Sequence, residues 1–128
     1  DKEKDTRYAS SILWKSGPYV TYWPADSYPL SYKIREKTSN IILMRLADIL
    51  LLKAEALVEL DRTPEAIRIV NGIRERAGFA PSSLDENMGQ ARGRLAVEND
   101  RLLELYMEGQ RWFDLVRNNR LLEVMQKH

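Results

Sequence analysis

The chain has no cysteine and a single histidine, His128, at its last position. The first absence excludes disulfides, thiol nucleophiles and thiolate metal sites. The second removes histidine-centred metal sites and Ser-His-Asp catalysis, because a lone terminal imidazole has nothing to orient it. Charge of one sign is also missing: 20 Lys and Arg face 19 Asp and Glu, for a net charge of +1. Nucleic-acid binders gather a basic excess on one face. Here the signs alternate along the chain, which reads as ion pairing and points to no nucleic-acid partner. The longest apolar run, 41–52, is interrupted by Arg45 and Asp48, so no segment reads as a membrane span. The opening Asp-Lys-Glu-Lys-Asp-Thr-Arg has no apolar signal core and no initiator Met, so a mature chain or a cut fragment is expected. No glycine-rich phosphate loop is found, and no cofactor is expected.

What is there is an ordinary globular composition. Of 128 residues, 44% are hydrophobic and 30% charged, enough for one domain with a real core. Two regions separate by composition. Residues 1–39 hold Tyr8, Trp14, Tyr19, Tyr22, Trp23, Tyr28 and Tyr32 among Gly17, Pro18, Pro24 and Pro29. No helical period survives those prolines. The expectation is an irregular segment with short strands at 10–15 and 19–23, turned as a hairpin at Ser16-Gly17-Pro18. Its aromatics have two readings. They cover a helical core with their polar tips at the rim, or they offer flat faces to sugar rings. Trp14, Tyr19, Tyr22 and Trp23 are the candidate ligand-binding residues on the second reading. Lys33, Arg35, Glu36 and Lys37 read as a solvated run.

Residues 40–128 are expected to be helical, which makes the fold class mainly α. Asn40 is a good N-cap for a helix over 41–60. Its apolar positions, among them Leu43, Leu46, Leu50, Ala54, Leu57 and Val58, are too many for one stripe, so burial on most sides is expected. A break at 61–62 leads to Thr63-Pro64-Glu65, an N-cap followed by a first-turn proline and an acid. Ala66, Ile69, Val70, Ile73 and Ala77 then repeat at the spacing of one helix face, and Gly78 is the left-handed end. Two helices on so short a joint pack antiparallel, with the pattern of one tetratricopeptide repeat. After a loop, a helix over 90–108 should bury Leu95, Leu102, Leu105 and Tyr106. Gly109 should end it, before a short helix at 111–117 and a last piece at 121–126.

Charge is placed where partners are needed. Arg45, Asp48 and Glu55 lie along one line of the first long helix. Arg101 and Glu104 lie on the later one, and Arg111 and Asp114 flank Trp112 and Phe113. These seven form a candidate structural ion network that orients the short Trp-Phe helix by burial and pairing together. As catalysts they fit poorly. A proton donor needs a carboxyl raised by apolar surroundings, whereas pairs such as Glu98 and Glu104 sit among arginines. No catalytic residue and no metal site is expected, and the chain is not read as an enzyme.

Three stretches together resemble the C-terminal region of the SusD/RagB family. They are Ile42-Leu-Met-Arg-Leu-Ala-Asp-Ile-Leu-Leu-Leu-Lys-Ala-Glu-Ala-Leu57, Ala66-Ile-x3-Asn-x-Ile-Arg-x-Arg-Ala-Gly78 and Glu108-Gly-Gln-Arg-Trp-Phe-Asp-Leu-Val-Arg117. They stand in the family's order and cover residues 41–120. One departure is Glu98-Asn99-Asp100-Arg101-Leu-Leu-Glu-Leu105, where the family pattern is Glu-Arg-Arg-x-Glu-Leu. The resemblance implies a SusD-like, tetratricopeptide-containing fold and a surface-exposed outer-membrane lipoprotein of Bacteroidetes. Such proteins bind an oligosaccharide or other nutrient and deliver it to a SusC-like TonB-dependent porin. They touch the membrane only through a lipid anchor, which would lie outside this chain. They are several times longer, so a C-terminal fragment is expected. Family ligand sites vary between members and no ligand residue carries over. The alternative is a helical-repeat module that binds a protein and no small molecule.

Overall fold

The computed structural model describes residues 5–16, 27–33 and 42–126. Among these the elements run α1 (Thr6–Ser11), β1 (Ile12–Lys15), β2 (Tyr28–Ser31), α2 (Leu46–Glu59), α3 (Thr63–Arg76), α4 (Gln90–Glu104), α5 (Arg111–Arg117) and α6 (Leu121–Met125). The fold is mainly helical, as the periodicities require.

The core lies where α2, α3 and α4 meet. Leu51, Ala54, Leu57 and Val58 of α2 pack with Ala66, Val70 and Ile73 of α3 and with Val97 of α4. Only one face of α2 is buried, contrary to the expectation of burial on most sides. Leu46 is 73% exposed, and Leu43, Met44 and Ile49 are also open. The helix also starts later than expected. Arg45 is extended (φ −144°, ψ 164°) and no side chain caps the first turn. Its guanidinium is held by acids at the end of α4, which keeps it out of the helix. Asn40 lies outside the described residues.

The α2–α3 joint is closed by backbone geometry. Asp61 takes a left-handed conformation (φ 59°). The N–H of Arg62 then reaches the Leu57 carbonyl at 2.8 Å, the six-to-one bond that ends a helix. Gly78 ends α3 the same way (φ 94°), with the Phe79 N–H on the Arg74 carbonyl at 3.0 Å. Thr63 does not act as the cap. It is the first helical residue, and its buried Oγ1 has no hydrogen-bond partner among the described residues. Its methyl instead packs on α4 at Gly93, where an added Cβ would lie 2.8 Å from Thr63 Cγ2. Glycine thus stands inside α4 because that helix approaches the α2–α3 joint too closely for a side chain.

The buried face of α4 differs most from expectation. Leu95 is exposed, and the face turned inward is Gly93, Val97, Glu98, Asp100, Arg101 and Glu104. The helix ends at Glu104 rather than at 108, because cations meet its last carbonyls. Lys33 Nζ and Arg45 Nη2 donate to the Glu104 carbonyl at 2.9 and 2.6 Å. Met107 and Gly109 then turn through positive φ.

Among the described residues of the N-terminal segment, a short helix precedes the strands. Asp5 caps α1 by accepting the Arg7 N–H at 3.0 Å. β1 pairs antiparallel with β2, Trp14 opposite Pro29; the strand expected at 19–23 lies outside the described residues. Thr6 anchors the segment to α3, with its N–H on the Ala77 carbonyl at 2.9 Å and its hydroxyl on the same oxygen at 3.1 Å. The loop after α3 is held by Asn71. Its amide mimics a strand, donating to the Leu84 carbonyl at 3.0 Å and accepting the Leu84 N–H at 2.9 Å. That use of both amide groups gives a physical reason for the asparagine in the second motif.

Candidate functional site

The charges on α4 form three clusters. The first is centred on Arg101, which is 3% exposed. Its Nε donates to Asp114 Oδ2 at 3.0 Å, and its Nη1 lies 3.0 Å from Asp48 Oδ1. The second contact brings charges together without hydrogen-bond alignment, since Asp48 Oδ1 has no hydrogen-bond partner among the described residues. Arg117 extends the cluster, donating to Asp114 Oδ1 at 2.9 Å and to Glu55 Oε2 at 2.6 Å. So α2, α4 and α5 meet through five alternating charges.

The second cluster is centred on Glu98, which accepts from Arg111 at 3.0 Å and from Arg120. Arg111 therefore joins Glu98 and not the Arg45–Asp48 group. In the third cluster Glu104 is shared by Arg45 (2.7 Å), Arg7 (3.4 Å) and Arg76. Glu108 takes Arg45 at 2.9 Å and Lys33. Burial opposes ionisation of Glu104, but the Arg45 hydrogen bond and the charges of Arg76 and Arg45 outweigh it and hold the carboxyl below the usual range. Glu108 is depressed too, burial being outweighed by bonds from Arg45 and Lys33. Behind them lies Asp100, 1% exposed, with Arg74 at 3.1 Å and Arg7 at 3.3 Å. Burial pushes its carboxyl up, against the pull of both guanidiniums. Arg74 and Arg7 also stack over the Phe79 ring, at 4.2 and 5.9 Å from its centre.

Of these residues, Arg7, Lys33, Arg74, Arg76, Glu98, Asp100, Glu108, Arg117 and Arg120 are not among the seven singled out from sequence. Lys33 reads as part of a solvated run, and Arg7 meets Asp100 across 93 residues of chain. The one sequence signal was Asp100 itself, which stands in the stretch departing from the family pattern.

The aromatic candidates are only partly placed. Trp14 lies on β1, 49% exposed, with its Nε1 donating to the Tyr8 hydroxyl at 2.7 Å. Tyr19, Tyr22 and Trp23 lie outside the described residues. Trp112 and Phe113 were expected to be buried. They are 57% and 66% exposed, and α5 instead buries Asp114 and Leu115. Adjacent helical residues point about 100° apart, so the helix seats its Asp-Leu side and turns Trp-Phe away.

Open clefts flank the clusters. One of about 560 Å³ lies between α2, α4 and the turn after α5. Another, of about 360 Å³, lies between α1, the end of β2, Arg45 and the ends of α3 and α4. Among the described residues no group of acids or histidines is arranged to hold a metal, and no helix is long and apolar enough to cross a membrane.

Comparison with known proteins places this architecture. The chain is 46% identical over 94 residues to SusD-like protein P38 of Formosa agariphila, covering 68% of this chain and 18% of that protein. It is 38% identical over 89 residues to SusD-like protein P2 of the same organism, covering 65% of this chain and 18% of that one. The chain thus spans under a fifth of the length of these relatives. The crystal structure of a SusD-like carbohydrate binding protein from Bacteroides vulgatus superposes with a TM-score of 0.74 at 27% identity, over 91% of this chain and 25% of that one. Residues 9–128 match the SusD family, and the chain belongs to it.

Proposed function

We propose that this chain is part of a non-catalytic glycan-binding protein that captures oligosaccharide at the cell surface and passes it to a SusC-like TonB-dependent porin. The observation that carries the reading is the likeness of nearly the whole chain to a SusD-like carbohydrate binding protein. The hairpin adds chemistry that suits it. Trp14 offers half its surface to solvent, and its N–H is already engaged by Tyr8. Its ring face is then free to stack on the C–H face of a sugar. Tyr19, Tyr22 and Trp23 belong to the same proposed surface by their sequence position. Anchoring at the outer membrane would come from a lipid outside this chain.

The non-catalytic reading rests on how the carboxylates are held. Glu98, Glu104 and Glu108 each accept from arginine, and Asp100 is sealed from solvent. Glu104 and Glu108 are held below the usual carboxylate range. The test is calorimetric titration of the full-length protein with a broad panel of oligosaccharides. Trp14→Ala should weaken binding about fivefold, the value of one aromatic contact. Absence of carbohydrate binding across the panel would overturn the reading. The rival helical-repeat module draws on the open apolar side chains Leu43, Met44 and Leu46. Affinity capture with the SusC-like porin as bait separates the two, since only the glycan-delivery reading requires the porin as partner.

A further inference from the structure

We propose that Asn71 is a modification site, a point of spontaneous deamidation that the fold holds shut and that reacts when α3 unravels. The inference stands apart from the glycan-binding reading. Asn71-Gly72 is the one Asn-Gly step in the chain. Asparagine is a chemically labile residue, and most so before glycine, where no Cβ hinders approach of the backbone nitrogen to the side chain. In the reaction the deprotonated Gly72 nitrogen attacks Asn71 Cγ. A bond forms between these two atoms, the bond from Cγ to Nδ2 breaks, and ammonia leaves with the proton that the Gly72 nitrogen gave up. Water then opens the cyclic imide at either carbonyl and leaves aspartate or isoaspartate. Nothing is oxidised or reduced, and water is the sole co-reactant.

Each requirement of that reaction is blocked in the folded chain. Asn71 and Gly72 lie in the middle of α3. The helical ψ, about −42°, keeps the Gly72 nitrogen out of the ring-closing position, and the helix ladder engages its proton. The Asn71 side chain is pinned at both ends. Its Nδ2 donates to the Leu84 carbonyl at 3.0 Å, and its Oδ1 accepts the Leu84 N–H at 2.9 Å. The residue is 6% exposed, so water is kept from Cγ. Packing does not call for the glycine. A Cβ at Gly72 would meet nothing within 4 Å, unlike one at Gly93. The reactive pair is therefore kept intact by the fold around it.

That protection is lost in one event. The two bonds that restrain the amide are the ones that hold the loop after α3 in place. Once they open, the amide is free to cyclise, and conversion removes the Nδ2 donor permanently. A carboxylate there would face the Leu84 carbonyl, acceptor against acceptor. Isoaspartate would also lengthen the backbone inside the helix. Deamidation thus turns a reversible opening into an irreversible one.

The experiment incubates the full-length protein at mildly alkaline pH, folded and held unfolded in urea. Each sample is digested with trypsin, and the peptide 69–74, released by cuts after Arg68 and Arg74, is followed by mass spectrometry. Conversion should be at least about a hundredfold slower in the folded protein, since opening of a buried helix approaches global unfolding in free energy. Gly72→Ala should abolish conversion in the unfolded chain over the same interval. Asn71→Asp, which makes the product by expression, should lower the urea midpoint. Equal rates in folded and unfolded protein overturn the proposal. So does an unfolded chain that keeps its amide at position 71, or one that converts in spite of Gly72→Ala. A urea midpoint unmoved by Asn71→Asp overturns the loss of the clasp. The rate measurements are made on digests and need no variant to fold.

Discussion

Arg101→Met tests the proposal that buried charge orients α5. Arg101 stands between Asp48 of α2 and Asp114 of α5, all three buried. Methionine keeps the unbranched apolar stem and removes the charge, so little packing is lost. Asp114 retains Arg117 at 2.9 Å. Asp48 is left with no other ion pair among the described residues. Stranding one member of a buried pair costs about 3–5 kcal/mol. A stranded carboxyl can instead take up a proton, which sets a ceiling. For an ordinary aspartate with a pKa of about 3.9, neutralisation at pH 7 costs about 4 kcal/mol, from roughly three pH units at 1.36 kcal/mol each. At pH 5 the same ceiling is about 1.5 kcal/mol. The stranded group then binds protons more tightly folded than unfolded, so its penalty grows as pH rises. The assay is urea unfolding of variant and wild type at pH 5 and pH 7. The deficit of the variant should be near 4 kcal/mol at pH 7 and well under half that at pH 5. Adding Asp48→Asn should recover much of it at pH 7, since an amide carries no charge to strand. A deficit under 1 kcal/mol, or one equal at both pH values, refutes the reasoning.

Two glycines in helices should respond oppositely to alanine. Gly93→Ala drives a methyl to 2.8 Å from Thr63 Cγ2 and should destabilise by about 1–3 kcal/mol. Gly72→Ala, which meets nothing within 4 Å in mid-α3, should stabilise by about 0.5–1 kcal/mol. Urea midpoints of the two variants must move apart, and a shift of the same sign would contradict the close-packing account. Acid should weaken the fold as Glu104, Glu108 and Asp5 lose their arginine and lysine partners. All three are held below the usual values of 4.5 and 3.8, so their contribution is present above those values and lost as pH falls through the lower folded ones. Asp100, pushed upward by burial, works in the opposite direction and should blunt the loss. Melting temperatures that stay flat from pH 5 to pH 3 would contradict this.

The sequence by itself determined the helical hairpin. Ala66, Val70, Ile73 and Ala77 keep one face, Pro64 fits only a first turn, and Gly78 supplies the left-handed end, all within a few residues of one another. It also determined the family, because three motifs in fixed order carry local necessities such as the Asn71 amide that holds the following loop. Much else depended on partners distant in the chain. Leu95 and the pair Trp112 and Phe113 look like core residues by composition. They stand exposed because the neighbouring helices meet α4 on its charged side and α5 on its Asp-Leu side. The end of α4 was unreadable for the same reason, since Lys33 and Arg45 take its last carbonyl from 71 and 59 residues away. Asp114, expected in the ion network, is seated by Arg101 and Arg117, while the aromatics before it, expected to share the burial, stand exposed. A local pattern tells which faces of a helix can be buried. Only the tertiary structure decides which face is, because that depends on the charges and surfaces other helices bring to it.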